Sequence, residues 1–282
     1  MSGAKCYKFQ RVDAYDGGIG AFATRDIKKG ELILREGPIV TARLETLESV
    51  EGRLSDKQRK QLFSLCDWRA SAAGTRKSAL GIFQANGYPA PAGPRSEEAG
   101  VFLAFSRFNH GCVPNVSHSW HGFKEKVVFA SRDIIAGEEL LTNYVELCCG
   151  GQERREVLRE RFGFECTCVA CARDDEAESD ARRRDCGALD ETIYQCTRRG
   201  KYDDAVRDAE KRLELLEAEG LDSPAQVVRT CNDAYQAMDH AGRPKDAKAW
   251  LERVLASSLL CEPGDSPELS DLRSKIAKLA SK

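Results

Sequence analysis

The chain has 282 residues, room for one large domain or for a medium domain with a smaller partner, and either arrangement allows a sizeable core. Its 43 lysines and arginines nearly balance 45 acids, and a net charge of −2 lacks the electrostatic footprint of a dedicated nucleic-acid binder. Charged residues at 31% and a 41% hydrophobic set spread along the chain exclude wholesale disorder, and no run approaches the ~18 apolar residues of a membrane span.

Met1 to Arg11 carries basic residues but no apolar export core, so an intracellular protein, cytoplasmic or nuclear, is expected. The first 40 residues read as short strands joined by tight turns: Gly17-Gly18-Ile19-Gly20-Ala21-Phe22-Ala23, then Thr24 to Glu31, then Leu32-Ile33-Leu34. The Gly-x-Gly marks a turn, since no third glycine, helix or acidic ribose partner follows to make a dinucleotide site. Residues 43–82 carry helical spacing, with Leu54, Gln58, Leu62 and Leu65 on one stripe. Gly87 to Gly100, with Pro89, Pro91 and Pro94, reads as a loop.

Strands are expected at Val101 to Phe105, Val127 to Ala130 and Leu140 to Thr142. The turn Asp133-Ile134-Ile135-Ala136-Gly137-Glu138 repeats in outline Asp26-Ile27-Lys28-Lys29-Gly30-Glu31, a likeness that common turn chemistry explains. A charged helix follows over Gln152 to Arg161. Residues 173–185, with six acids and four arginines, read as a solvated connector and mark a domain boundary.

The remainder reads as helical. Tyr202, Ala205, Val206, Ala209, Leu213 and Leu216 share a face that Gly220 ends; Ser223-Pro224-Ala225-Gln226 caps a helix running to Gly242; two further amphipathic stretches begin at Pro244 and Ser266-Pro267. Gly200-Lys201-Tyr202-Asp203-Asp204-Ala205 returns 42 residues later as Gly242-Arg243-Pro244-Lys245-Asp246-Ala247, as in stacked helix pairs of the tetratricopeptide kind, although their usual period is about 34. A plain helical bundle is the alternative.

Twelve cysteines are many for a reducing compartment and point to metal binding, catalysis or packing rather than to disulfides. Cys6, Cys66, Cys186, Cys196, Cys231 and Cys261 stand alone, and the adjacent Cys148 and Cys149 suit a single tetrahedral site poorly; packing is the reading for all of them. Cys166, Cys168 and Cys171 differ, because Cys-x-Cys-x-x-Cys lets a folded-back loop place three thiolates around one soft cation, usually zinc. Cys112 is the preferred fourth ligand, with Cys148, Cys149, His118 and His121 as alternatives.

Four segments occur in order: Gly18-Ile19-Gly20-Ala21-Phe22-Ala23, Asn109-His110-Gly111-Cys112-Val113-Pro114-Asn115, Gly137-Glu138-Glu139-Leu140-Leu141-Thr142-Asn143-Tyr144, and Phe164-Glu165-Cys166-Thr167-Cys168-Val169-Ala170-Cys171. Together they resemble a SET-domain protein lysine methyltransferase over residues 7–171. Asn86-Gly87-Tyr88 and the helical tail are similar to the SET and MYND group and its fungal-type relatives. The MYND finger itself is missing, for residues 42–100 hold one Cys and no His.

The resemblance implies an α+β fold: a mostly-β SET domain at 1–160 with a helical insert near 42–100, a zinc-binding post-SET segment at 161–172, and a helical, tetratricopeptide-like domain at 173–282. It implies methyl transfer from S-adenosylmethionine to a lysine ε-amine of a protein through a narrow channel. Carried over by position, Gly18, Ile19, Gly20, Asn86, Asn109, His110, Tyr144 and Phe164 contact the cofactor, Tyr144 is the catalytic residue, and Phe162 lines the lysine channel. Structural zinc is held by Cys112, Cys166, Cys168 and Cys171. The expected partner is a histone or non-histone protein carrying the target lysine, with no nucleic acid, no membrane and a monomeric state. The other class of function is a SET-fold interaction module with an idle site. Two departures stand out: Gly111 where relatives carry Ser, and Phe162 where many carry Tyr, which leaves the number of methyls added open.

Overall fold

A computed structural model describes residues 5–12, 18–89, 98–122 and 124–280. Four small sheets form the first half. Strands β1 (Tyr7–Val12) and β2 (Gly18–Ala23) pair antiparallel, from Tyr7 opposite Ala23 to Val12 opposite Gly18. β3 (Leu32–Glu36) joins the hairpin of β8 (Val116–His121) and β9 (Glu125–Ala130) in the order β3-β9-β8. β4 (Val40–Ala42), β5 (Gly87–Pro89) and β6 (Ala99–Val101) form a third sheet, order β4-β6-β5. β7 (Asn109–His110) and β10 (Leu141–Thr142) make a two-residue parallel pair.

The likeness between the turns at 26–31 and 133–138 has a structural expression: they pack on each other almost reciprocally. Ile27 and Ile134 exchange both backbone hydrogen bonds at 2.9 Å. Asp26 Oδ1 accepts from Ala136 N, and Asp133 Oδ1 accepts from Lys29 N, each at 2.9 Å. Gly30 and Gly137 take φ of 81° and 88°, the left-handed conformation that lets each turn close.

The insert is helical, as expected, but divided. α1 (Leu47–Glu51), α2 (Asp56–Phe63), α3 (Trp68–Ala73) and α4 (Ala79–Asn86) pack around Leu47, Leu62, Leu65, Ile82 and Phe83. The expected loop at 87–100 starts and ends as strand, and its middle, with Pro91 and Pro94, lies outside the described residues. The strand expected over 101–105 is instead the end of β6 followed by a 3-10 turn at Phe105–Arg107, which turns Phe105 and Phe108 inward.

α5 (Gly151–Phe162) matches the charged helix expected there. Residues 173–185 are a correction. Most of them open the 23-residue helix α6 (Glu176–Arg198), which buries Ser179 and Arg183 and leaves Glu178, Arg184 and Asp185 exposed, so the segment is a helix with one buried face. Part of its charge turns inward. Glu219, almost fully buried, draws Arg182 (2.6 Å), Arg183 (2.9 Å) and Arg173 (3.2 Å). α7 (Tyr202–Ala218), α8 (Pro224–His240), α9 (Pro244–Ser258) and α10 (Pro267–Ala280) follow, each packed on its chain neighbour. Ser223 caps α8 through Gln226 N, with proline at the first position of the helix.

One apolar cluster joins the two halves: Cys112, Val145, Leu147 and Leu158 pack with Cys186, Leu215, Leu216 and Leu221. No helix among the described residues is long and apolar enough to cross a membrane.

Candidate active site and metal centre

The parallel β7–β10 pair brings Asn109 and His110 beside the chain that ends in Tyr144. Asn115 pins this arrangement: its Oδ1 accepts from Leu141 N at 2.7 Å, and its Nδ2 donates to Glu139 O at 2.8 Å. Asn109 Nδ2 donates to Glu139 Oε1 at 2.7 Å. Gly20 lies against both, for a Cβ there would stand 2.3 Å from Glu139 Oε1 and 3.0 Å from Asn109 Nδ2. Only glycine lets β2 approach so closely. Burial raises the Glu139 carboxyl above its ordinary value, against the hydrogen bond from Asn109.

His110 is buried, and burial lowers its pKa to about 4, so the ring is neutral near pH 7. Its Nδ1 accepts from the Tyr144 backbone N–H at 3.0 Å. The proton therefore resides on Nε2, which faces Cys112 Sγ at 3.3 Å and donates to it. Tyr144 Oη donates to Phe108 O at 2.8 Å, leaving its oxygen lone pairs as acceptors. Rings gather around it: Phe162 at 4.9 Å, His110 at 5.5 Å and Phe164 at 6.5 Å between centroids.

Two depressions adjoin this point. One of about 490 Å³ is lined by Tyr144, Arg154, Val157 and Arg161; the other, about 300 Å³, lies between β8 and the start of α8, and Asn143 and Glu146 border both.

Cys112, Cys166, Cys168 and Cys171 converge, their sulfurs all within 4.8 Å of one another and those of Cys112 and Cys171 at 3.6 Å. Zn–S bonds of about 2.3 Å in a tetrahedron put sulfurs about 3.8 Å apart, so the cluster matches a closed Cys₄ zinc site. The surroundings match too. Arg154 and Arg155 bring positive charge to Cys112 and Cys171, opposing the excess charge of four thiolates on a divalent ion, and Cys112 N donates to Cys168 Sγ at 3.4 Å. Among the described residues, Cys148, Cys149, His118 and His121 are not part of the cluster.

Gly163, φ 74°, ends α5 and turns the chain into Phe164. A Cβ there would come 2.3 Å from the Trp68 ring, whose Nε1 donates to Arg161 O at 2.8 Å. The insert thus buttresses the turn that carries Phe164. Asn86, buried at the end of α4, donates to Ile82 O (2.7 Å) and Cys66 O (2.8 Å), holding the lead into Trp68.

Of the residues singled out from sequence, Gly20, Asn109, His110, Tyr144, Phe162 and Phe164 are thus joined through direct neighbours. Gly18 and Ile19 lie on β2, Ile19 being partly exposed, and Asn86 stands behind the Trp68 buttress. Sequence reasoning missed Trp68, Asn115 as a pin, the Phe108 carbonyl, and the arginines around the cysteines; only Glu139 had a signal, in its Gly-Glu-Glu turn.

The SET domain family model matches residues 18–145. That stretch of the chain is similar to a SET domain. The chain is 34% identical over 180 residues to "Histone-lysine N-methyltransferase set5" of Schizosaccharomyces pombe, covering 62% of this chain and 55% of that protein. It is 36% identical over 100 residues to "Histone-lysine N-methyltransferase SET5" of Yarrowia lipolytica, 35% of this chain and 21% of the relative. Against "Histone-lysine N-methyltransferase SMYD3" of Mus musculus it is 38% identical over 77 residues, 27% of this chain and 18% of that one. The chain therefore spans about half the length of the fission-yeast relative and less of the others. The SET match contains β2, β7, β10, the helical insert α1 to α4 and Tyr144; Cys166, Cys168, Cys171 and helices α5 to α10 lie beyond it.

Proposed function

We propose that this chain is a SET-domain, S-adenosylmethionine-dependent protein-lysine N-methyltransferase. The observation that carries the reading is the union at one point of Gly20, Asn109, His110, Phe164 and an inward phenol, Tyr144, within the SET match. The names of the relatives support it.

The cofactor supplies an electrophilic methyl on a sulfonium, so the protein's task is alignment, desolvation and proton control. Gly20 and the Asn109 amide offer a close backbone approach and a polar anchor for the cofactor's amino-acid end, and Phe164 a face for its adenine. The target amine must arrive neutral, and the ring-lined surroundings of Tyr144 disfavour an ammonium. With its O–H committed to Phe108 O, the Tyr144 oxygen accepts from an amine N–H and orients the nitrogen lone pair toward the methyl. Phe162 offers no hydroxyl, so Tyr144 alone of this pair can hydrogen-bond the amine.

The same reading assigns structural zinc to Cys112, Cys166, Cys168 and Cys171; a four-thiolate site has no open position, so it contributes folding energy and geometry. It divides the chain into a SET domain at 1–160, a post-SET segment at 161–172 and a helical domain at 173–282, with stacked tetratricopeptide-like pairs. In support of the last, Gly200 and Gly242 occupy equivalent places, φ 72° and 65°, just before α7 and α9. The protein works inside the cell, in cytoplasm or nucleus, as a monomer on protein substrates, with no nucleic acid or membrane partner. Phe162 favours a second reading, an idle interaction module. Incubating the purified chain with labelled S-adenosylmethionine and cell extract decides between them: label in a protein, lost in Tyr144→Phe, supports transfer, whereas cofactor binding without label supports the idle module.

A further inference from the structure

Outside the metal cluster, two cysteines that look unrelated in sequence meet. Cys148, in the segment between β10 and α5, is partly exposed, and Cys186, on α6, is 1% exposed. They are 38 positions apart, yet the Cys148 thiol donates to Cys186 Sγ at 3.5 Å. The backbones are equally close, because a Cβ on Gly187 would stand 2.5 Å from Cys148 O. Glycine beside Cys186 is what lets α6 press onto the Cys148 peptide.

Both sides of the contact are anchored. Glu146 Oε1 accepts from Leu147 N (2.8 Å) and Cys148 N (3.0 Å), and Arg183 Nη1 donates to Leu147 O at 3.3 Å. Behind Cys186, the buried Arg212 donates from Nε to Cys186 O at 3.3 Å and brings a positive charge to the sulfurs. Closing from 3.5 Å to the ~2.05 Å of a disulfide takes side-chain rotation of the partly exposed partner, with the backbones already adjacent. The neighbouring Cys149 is directed elsewhere, its thiol donating to Glu146 O at 3.3 Å.

We infer that Cys148 and Cys186 form a reversible disulfide site for a two-electron oxidant of the peroxide class, tying the segment that follows Tyr144 to α6. Cys148, the accessible sulfur, gives up the proton it donates toward Cys186 and attacks one peroxide oxygen; an S–O bond forms, the O–O bond breaks and the leaving hydroxide takes that proton as water. Cys186 then attacks that sulfenic sulfur; the S–S bond forms, the S–O bond breaks, and a second water leaves with the remaining proton. Two thiols and one hydrogen peroxide give one disulfide and two waters. A thiol reductant such as glutathione reverses the step, as suits an intracellular pair that is sensing rather than structural. The site stands apart from the methyl-transfer reading and survives its failure.

The test treats the full chain, purified with zinc, with limiting hydrogen peroxide and maps the peptides without reduction. The expected product is a Cys148–Cys186 linked peptide lighter by two hydrogens, with a thermal midpoint higher by about 5–10 °C that dithiothreitol reverses. Cys148→Ser and Cys186→Ser each abolish the link and the thermal shift, and Cys149→Ser retains both. A first-formed link through Cys149 or among Cys112, Cys166, Cys168 and Cys171, or no link before sulfinic acid accumulates at Cys148, overturns the inference.

Discussion

Lys126 sits 2% exposed on β9, inside a box of rings. Its Nζ lies 4.9 Å from the centre of Tyr88, 5.2 Å from Trp120, 5.4 Å from Phe105 and 5.7 Å from Phe102, and donates to His118 Nδ1 at 3.3 Å. Among the described residues no carboxylate pairs with it. Burial accordingly lowers its pKa from 10.5 to about 7. The unfolded chain keeps the ordinary value, so holding the charged amine in this box costs the native state roughly 4–5 kcal/mol below pH 7. Between pH 7 and 10.5 the unfolded state binds more protons, so this group makes stability rise with pH by up to about 1.4 kcal/mol per unit. Lys126→Met keeps the length and the contact with the rings but has no proton to bind. At pH 7 it should be about 1–3 kcal/mol more stable than the parent, the lost cation–π attraction offsetting part of the gain. Urea unfolding of both proteins at pH 7 and pH 9, at equal metal content, measures this directly. The variant's advantage should shrink by roughly 2–3 kcal/mol across that range. A constant difference, or a variant weaker at pH 7, refutes a buried amine whose pKa burial has lowered.

Tyr144→Phe removes the hydrogen bond to Phe108 O and should cost about 1 kcal/mol of stability while methyl transfer falls by about 10²-fold or more, read by thermal melts beside transfer assays. Cys168→Ser, or chelation, should release the ion and lower cofactor affinity at least ~10-fold, measured by calorimetry with a colorimetric metal count; unchanged affinity after complete metal loss would disprove the buttressing role. Arg183→Met strands the buried Glu219 beside fewer partners and leaves Cys112 O and Leu147 O without their shared donor, so denaturant unfolding should show a loss of about 3–5 kcal/mol. Gly163→Ala meets both a φ of 74° and the Trp68 ring, and should weaken cofactor binding more than the companion Trp68→Ala, Gly163→Ala double variant, in which the clash is relieved.

The parts legible in sequence were those whose signals are local. The spacing of Cys166, Cys168 and Cys171 marks a loop that gathers its sulfurs at one point, and the proline and glycine punctuation of α7 to α10 marks helices whose burial then follows the stripe. The parts that were illegible depend on partners far along the chain. Residues 173–185 read as solvated because nothing local says that Arg183 will be met by Glu219, 36 positions on, and a paired guanidinium can be buried where a lone one cannot. Cys148 and Cys186 do pack in one apolar cluster, but their mutual contact was illegible for the same reason, as was the role of Trp68, whose ring meets the bare backbone of Gly163. β10 was expected over 140–142, but its partner β7 escaped because a two-residue strand carries no period; the side chain of Asn115, which accepts from Leu141 N, supports the pair in place of a longer ladder.

His110 is the residue through which the distal metal loop and the phenol become one unit. Its ring takes the Tyr144 N–H on one nitrogen and gives the proton on the other to Cys112 sulfur, so either tautomer change or loss of the thiolate's fixed position disturbs the Tyr144 backbone. Cys112 is also the fourth sulfur that closes the loop carrying Phe164, and its carbonyl is held by Arg183 from α6. A cation held among these sulfurs would fix the Tyr144 and Phe164 rings together, although it would touch neither. Arg154 and Arg155 favour the thiolate form, since their charges stabilise anionic sulfur at Cys112 and Cys171. On this geometry, filling the site would also order the segment after β10 that carries Tyr144.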